Sequence, residues 1–155
     1  MERCGLVASS GAQRCRPEGI HIKSELEPAN WFLNSSTDVR SSYYLEHVAS
    51  EFAVQGLELD CAGVCWDEDF HHRNRKSVSQ AFEGTKRHSV YDVSRRTYLK
   101  NAYRVILTRA RQGMVLLAPK VMVRPYATCV FYDGTFDIFV RAGFQRSIEQ
   151  WLSME

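Results

Sequence analysis

The sequence predicts an α/β domain with a mainly parallel sheet and flanking helices. Four short apolar runs predict its strands, at residues 4–8, 48–52, 62–66 and 114–118. A long polar stretch and one helical pattern separate these runs, and connections of that length are typical of crossovers between parallel strands. At 155 residues and 45% hydrophobic, the chain can bury one core but not two, so we expect a single domain.

The first predicted strand begins at Cys4 and leads into a turn at Ser9-Ser10-Gly11. Two prolines and a glycine interrupt the polar residues 13–40, which predicts a loop with one short element around Trp31. The second strand runs directly into a turn at Gln55-Gly56-Leu57-Glu58. In parallel sheets ligands bind at the carboxyl ends of strands, and we expect this turn to lie at one such end.

Five cysteines at irregular spacing fit a reducing compartment better than a disulfide framework. Two of them, Cys61 and Cys65, fall in the third predicted strand, where their separation spans about 13 Å. Because that distance is too long for both thiols to share one metal ion, we expect both residues to be structural.

The net charge of +2 favours neither a polyanion-coating protein nor an acidic one. No apolar run approaches the roughly 18 residues of a membrane span, and no secretory signal is visible. We therefore expect a cytoplasmic protein without a membrane partner.

Between Asp67 and Val93 the composition changes to acidic, histidine and basic residues with few large apolar ones, which predicts an exposed insertion. Asp67, Asp69, His71 and His72 have the side chains of a divalent-metal site. Because no second spaced pair accompanies them, a solvated charged loop is the favoured interpretation, and no metal site is predicted.

Basic residues in and just after this insertion form a cluster that could contact a nucleic-acid backbone. Phe82 and Tyr91 are available for base stacking, whereas acidic neighbours weaken the positive field. The members of this cluster are Arg73, Arg75, Lys76, Lys86, Arg87, Arg95 and Arg96.

The clearest helical pattern runs from Ser94 to Arg111, where apolar residues recur at three- and four-residue steps. Ser94 is the predicted N-cap, and Gly113 is the predicted stop. The fourth strand follows, then a small helix at residues 135–140 and an uncertain tail at residues 144–155.

Two motifs carry charged residues in positions that suggest a nucleotide site. On a helical wheel Arg109 lies at the flank of the apolar arc, where a guanidinium needs an anion or carbonyl oxygens. A phosphate is one partner; the helix dipole or water is the alternative. Glu58 follows a glycine turn and could accept hydrogen bonds from sugar hydroxyls, or be an ordinary exposed glutamate.

The chain contains no Gly-x-x-x-x-Gly-Lys-[Ser/Thr] sequence. It therefore has no loop that could bind a triphosphate through backbone amides, a lysine and a magnesium-binding hydroxyl. The motifs predict a partner in catalysis and not a complete catalyst.

Six strings, in order, resemble the second RecA-like domain of superfamily-one helicases and, more closely, the carboxyl-terminal part of the schlafen group-3-like DNA/RNA helicase family. The strings are Gly5–Ala12, Asn30–Asn34, Val39–Leu45, Glu51–Asp60, Tyr98–Met114 and Phe131–Thr135. The resemblance implies an incomplete fold of the P-loop NTPase type: a RecA-like domain over residues 1–143 without the first RecA-like domain. It is poor over residues 67–93 and after Gly143.

The resemblance assigns the two charged motifs to nucleotide binding. Gln55, Gly56 and Glu58 look like helicase motif V, in which the glutamate contacts the nucleotide sugar. Arg109 matches the arginine of motif VI, which reaches across the interdomain cleft to the γ-phosphate. Such an arginine finger stabilises the charge that develops on the transferred phosphoryl group.

The resemblance also implies a nucleic-acid contact. Ser50 and Phe52 match positions near the bound strand, and the basic residues Arg73, Arg75 and Lys76 would add backbone contacts. Ala53 departs from the more polar residue expected before Val54-Gln55.

The implied function is the carboxyl-terminal domain of an ATP-dependent DNA or RNA helicase. ATP and Mg²⁺ would bind only when an amino-terminal RecA-like domain supplies the phosphate loop, and the chain alone would bind neither and hydrolyse nothing. Single-stranded DNA or RNA is the expected partner. The alternative is a catalytically silent remnant that holds nucleic acid or protein, and a stand-alone hydrolase using Asp67 and His71 ranks third.

Overall fold

A computed structural model of the chain shows a four-stranded parallel sheet and a three-stranded antiparallel sheet. The structure describes residues 2–13, 15–16, 19–22, 26–73, 76–83, 86–118 and 130–145. In chain order the elements are β1 (Cys4–Ala8), α1 (Pro28–Leu33), a 3-10 turn (Ser42–Tyr44), β2 (Val48–Ser50), β3 (Leu59–Cys65), β4 (Phe70–Arg73), β5 (Lys76–Glu83), β6 (Lys86–Ser89), α2 (Val93–Leu107), β7 (Ala110–Leu117) and α3 (Val130–Arg141).

The four-stranded sheet has the order β2-β1-β3-β7, and all three pairings are parallel. Ala8 pairs with Ser50 on one side and with Cys65 on the other, so these strand ends form the carboxyl edge of the sheet. Leu59 pairs with Ala110 near the opposite, amino edge. The predicted α/β class and mainly parallel sheet are confirmed, whereas the second, antiparallel sheet was not predicted.

Helix α2 covers one face of the parallel sheet. Its buried side chains include Tyr103 and Ile106, which share one core cluster with Val7 and Val64 from the two central strands. Burial of each large apolar side chain contributes about 1.5–3 kcal/mol. This contact holds the helix in a fixed position against the strands.

The buried indole of Trp31 closes another part of this core. Its Nε1 donates a hydrogen bond to the carbonyl oxygen of His47 at 2.9 Å. Its ring lies against Gly5, where an added Cβ would come within 2.7 Å of a ring carbon. Glycine is therefore required there by the close approach of the ring.

Helix α2 begins and ends earlier than the sequence predicts. Its N-cap is Asp92, whose Oδ1 accepts from the backbone N–H of Arg95 at 2.7 Å, so the predicted cap at Ser94 is wrong. The helix ends at Leu107, and β7 begins at Ala110. Ala110 fits both a helical and a strand pattern, and pairing with β3 decides in favour of the strand because it supplies the backbone hydrogen bonds.

The region predicted as an exposed insertion begins with buried residues and contains strands, whereas Arg73, Lys76 and residues 88–89 and 91–93 are exposed. Residues 67–93 contain β4, β5 and β6, and Asp67, Asp69 and His71 are buried at the start of this region. The Asp69 carboxyl finds its partners on distant elements, at Ser9 and Tyr103, which the local composition does not reveal. The favoured solvated loop is thus replaced by a buried polar cluster and a small sheet.

Helix α3 confirms the predicted small helix at residues 135–140 and starts earlier, at Val130. It packs on β4, where Thr135 Oγ1 accepts from the backbone N–H of His72 at 2.8 Å. The phenyl ring of Phe139 also meets the indole of Trp66 edge-on, with centroids 4.7 Å apart. The tail at residues 146–155 lies outside the described residues.

Within the described ranges, no helix is long and apolar enough to cross a membrane.

Candidate functional site

The Arg109 guanidinium is held at the amino edge of the parallel sheet. It lies between the end of α2 and the start of β7, not on the flank of the helix as the wheel predicts. Its Nη1 donates to the carbonyl oxygen of Leu57, its Nε to that of Val105 and its Nη2 to Thr108 Oγ1, each at 3.1 Å. The cation thus sits at the negative end of the helix dipole.

Glu58 lies at the same edge, one residue before β3. The backbone N–H of Leu59 donates to the carbonyl oxygen of Arg109 at 2.8 Å, which fixes the two motifs side by side. Arg111 Nε lies 3.7 Å from Glu58 Oε2, and both of these side chains are largely exposed. A surface ion pair of this kind contributes little stability and can exchange with a ligand.

The position of the glycine turn differs from the expectation of a carboxyl-edge site. Residues 51–58 cross the sheet from the end of β2 to the start of β3, so Glu58 reaches the amino edge. Gly56 adopts a positive φ of 82° on the way, a conformation that other residues rarely take. Gln55 and Gly56 are exposed.

A second set of polar groups, at the carboxyl edge, was missed from the sequence. The Glu51 carboxylate, only 5% exposed, accepts from the backbone N–H and from Oγ of Ser10, both at 2.7 Å. It also accepts from the Tyr98 hydroxyl at 2.9 Å. Burial and the bond to Glu51 raise the pKa of Tyr98. One carboxylate therefore joins the ends of β1 and β2 to the first turns of α2.

The buried cluster beside it centres on Asp69. Its Oδ1 accepts from the Tyr103 hydroxyl, and its Oδ2 accepts from Ser9 Oγ at 2.9 Å. Burial, followed by the charge of Asp67, raises the pKa of Asp69 to about 7. Burial and the nearby Asp69 carboxyl raise the pKa of Tyr103 well above its usual value. The Asp69 carboxyl is therefore partly protonated near neutral pH.

Two cavities open at this carboxyl edge, and Ser10 lines both of them. The first, of about 430 Å³, is lined by Ser50 and Phe52 together with Ala53. The second, of about 380 Å³, has Asp69, Gln80, Arg95 and Tyr98 among its lining residues.

The basic residues predicted to contact nucleic acid are in a third place. Arg73 and Lys76 face each other at the connected end of the β4–β5 hairpin, and both are exposed. Arg75 lies outside the described residues. The structure therefore brings Glu58 and Arg109 together at the amino edge and Ser50 and Phe52 together at the carboxyl edge. It places these two pairs and the basic hairpin residues in three separate locations.

The described part of the chain holds no group of three or more histidine, cysteine or acidic side chains placed to bind a metal ion. Cys65 is buried on β3, as expected, whereas Cys61 is partly exposed. Asp67 and His71 are 0% and 2% exposed, so neither can meet a substrate as the stand-alone hydrolase would require.

Residues 1–120 match the family model described as Schlafen group 3, DNA/RNA helicase domain. The matched range includes both sheet edges, from Ser9 to Arg111. Comparison with curated proteins and with solved structures finds no match.

Proposed function

The chain belongs to the family of the Schlafen group 3 DNA/RNA helicase domain, and we propose that it acts as the carboxyl-terminal RecA-like domain of an ATP-dependent DNA or RNA helicase. One observation carries the proposal: a partly buried arginine and the glutamate turn sit next to each other at one edge of a parallel sheet. The carboxyl edge, at the other end of the same strands, is left for the nucleic acid.

The contacts of Arg109 support the role of an arginine finger. Its three hydrogen bonds go to neutral oxygens, and among the described residues no carboxylate forms an ion pair with it. The guanidinium is thus oriented while its charge stays available for an incoming anion. A γ-phosphate bound on a neighbouring domain would supply that anion, and preorganised charge of this kind lowers the barrier to phosphoryl transfer.

Glu58 and its turn support the role of motif V. The exposed carboxylate, next to Arg109, can accept hydrogen bonds from a ribose, while Gln55 and Gly56 shape the turn. Mg²⁺ and the triphosphate would be held by the phosphate loop and acidic residues of the amino-terminal RecA-like domain. The residues of this chain would bind the sugar and stabilise charge.

The nucleic-acid side would lie at the carboxyl edge. Ser50 and Phe52 line a cavity there. From a separate place, at the β4–β5 hairpin, the exposed Arg73 and Lys76 and their sequence neighbour Arg75 would add contacts to the phosphate backbone of a longer strand. These basic contacts carry no sequence information, so they fit a motor that moves along many sequences.

ATP turnover tests the proposal. The chain, joined to or mixed with an amino-terminal RecA-like domain of its family, is compared with the same protein carrying Arg109→Ala. We expect the substitution to reduce kcat about a thousandfold or more while ATP still binds. Arg111→Ala is the matched control, because it removes a neighbouring exposed arginine, and it should change kcat less than about fivefold. Equal turnover by wild type and Arg109→Ala, with ATP binding intact, contradicts the arginine-finger role.

A second candidate function is a silent nucleic-acid-binding module. The observation that favours it is that the chain has no phosphate loop, while the carboxyl-edge cavities are formed by this chain alone. Salt-dependent binding of single strands, without nucleotide-dependent docking to a phosphate-loop domain, would select this candidate.

A further inference from the structure

Two exposed aromatic rings stand together at the carboxyl edge. Phe52 follows β2 and is 62% exposed, and Tyr98 projects from α2 and is 47% exposed. Their ring centroids are 6.2 Å apart, and the ring planes are tilted by 31°. Large apolar surface left exposed in a pair is typical of a binding site, whereas single exposed hydrophobic residues are ordinary.

The buried Glu51 carboxylate lies next to this pair and bonds to one of its members. It fixes the Tyr98 hydroxyl at 2.9 Å and binds Ser10 through two shorter hydrogen bonds. Phe52 is the next residue along the chain, so the same buried acid also anchors the backbone that carries the Phe52 ring. The two rings would therefore lose little conformational entropy when a ligand stacks on them.

The surroundings of the rings indicate the kind of ligand. Phe52 lines the first of the two cavities, and Tyr98 lines the second. Arg95, one helical turn before Tyr98, lines the same cavity as Tyr98 and brings a cation to it. Flat apolar faces next to a cation suit unstacked bases joined by phosphates, and each cavity can hold a flanking nucleotide.

We propose that Phe52 and Tyr98 form a stacking shelf that binds the bases of single-stranded nucleic acid, with Glu51 as the positioning residue. The inference rests on the proposed function in so far as the chain must bind nucleic acid at this edge. It adds Tyr98, Glu51 and Arg95 to the site, and it predicts a preference for single strands, because the bases of a duplex are covered by their own stacking.

Fluorescence anisotropy with the full chain tests the shelf. The probes are a labelled oligothymidylate of about 12 nucleotides, the oligouridylate of equal length and a duplex of that length. We expect Phe52→Ala and Tyr98→Ala each to weaken single-strand binding about 5- to 150-fold, as the loss of one stacked base does. Binding to the duplex should be weaker in the wild type and should change little in either variant.

Two further variants separate stacking from a structural effect. Tyr98→Phe keeps the ring and removes the hydrogen bond by which Glu51 positions it, so binding should weaken about two- to fivefold, less than in Tyr98→Ala. An affinity equal to that of wild type would contradict the positioning role of Glu51. Tyr44→Ala removes an exposed aromatic ring from the 3-10 turn and should leave binding unchanged. Circular dichroism checks that each variant is folded.

Three results would overturn the shelf. They are no single-strand binding by the folded wild type, equal binding by wild type and both alanine variants, or a Tyr98→Phe variant as weak as Tyr98→Ala. The second and third leave the proposed helicase role intact, since ATP turnover and its dependence on Arg109 are measured separately. Conversely, loss of the Arg109 effect with an intact stacking effect would leave a nucleic-acid-binding module.

Discussion

Replacing Asp69 by asparagine should change how the stability of this protein depends on pH. Asp69 is buried, and its carboxyl bonds to Tyr103 and to Ser9. Its pKa is raised from 3.8 to about 7, first by burial and then by the charge of Asp67. Asparagine keeps the size of the side chain, and its amide can accept from the Tyr103 hydroxyl and donate to the Ser9 hydroxyl.

The sign follows from linkage between protonation and folding. A carboxyl whose pKa is raised in the folded state holds its proton more tightly there, so it costs no stability below pH 3.8. The cost grows as the pH rises and is complete above about pH 7. The difference of roughly three pH units corresponds to a total cost of about 4 kcal/mol, of which roughly 2–3 kcal/mol appears between pH 5 and pH 8.

Urea unfolding of wild type and Asp69→Asn at pH values between 5 and 8, a range that includes the folded-state pKa of about 7, measures this cost. The free energy of unfolding of the variant, minus that of wild type, should increase by roughly 2–3 kcal/mol across this range. Other titrating groups cancel in the difference. Asp38→Asn is the control, since Arg40 lowers the pKa of Asp38 to about 2 and its titration lies below the range. A difference that is flat for Asp69→Asn would refute the reasoning.

Two further predictions concern packing and capping. Gly5→Ala should lower the free energy of unfolding by about 1–3 kcal/mol, because its Cβ would come within 2.7 Å of the buried Trp31 ring. Gly113→Ala meets only an ordinary contact of 3.9 Å, so urea unfolding should give a change within about 0.5 kcal/mol. Asp92→Ala removes the N-cap of α2 and should lower the free energy of unfolding by about 1 kcal/mol in the same assay. Asp92→Asn keeps a capping oxygen and should lose much less stability, so equal losses for both variants would argue against the cap.

Much of the parallel sheet could be predicted because its signals are local. The strand predicted at residues 4–8 matches β1, and the strands predicted at 48–52, 62–66 and 114–118 overlap β2, β3 and β7 with shifted ends. Short apolar runs separated by long connections suffice for this level of detail.

The ends of the elements depend on contacts that the sequence pattern does not contain. Ala110 continues the apolar period of α2, yet pairing with Leu59 places it in a strand. The Thr108 hydroxyl bonds to the carbonyl oxygens of Arg104 and Val105, which satisfies groups that a longer helix would have used. Tertiary hydrogen bonding therefore overrides the local helical preference at this boundary.

The same distinction between local and distant contacts explains why only half of the candidate site could be predicted. Glu58 and Arg109 each belong to a short continuous motif, so the residue order alone pointed to them. At the carboxyl edge the resemblance pointed to Ser50 and Phe52, but nothing in the sequence showed that Glu51 and Tyr98 belong with them. The bonds at this edge join Ser10 to Glu51 across 41 residues and Tyr98 to Glu51 across 47.

When only the neighbouring sequence is known, a charged side chain is predicted to be exposed to solvent, because burying an unpaired charge is costly. That rule fails for Asp67, Asp69 and Glu51, which are all buried. Asp69 and Glu51 receive hydrogen bonds from hydroxyl and backbone N–H donors on other elements of the fold. Buried acids at the ends of parallel strands thus become visible only when the strands are paired. They locate the surface where Phe52 and Tyr98 are held, and a sequence-based search for exposed basic residues passes over that surface.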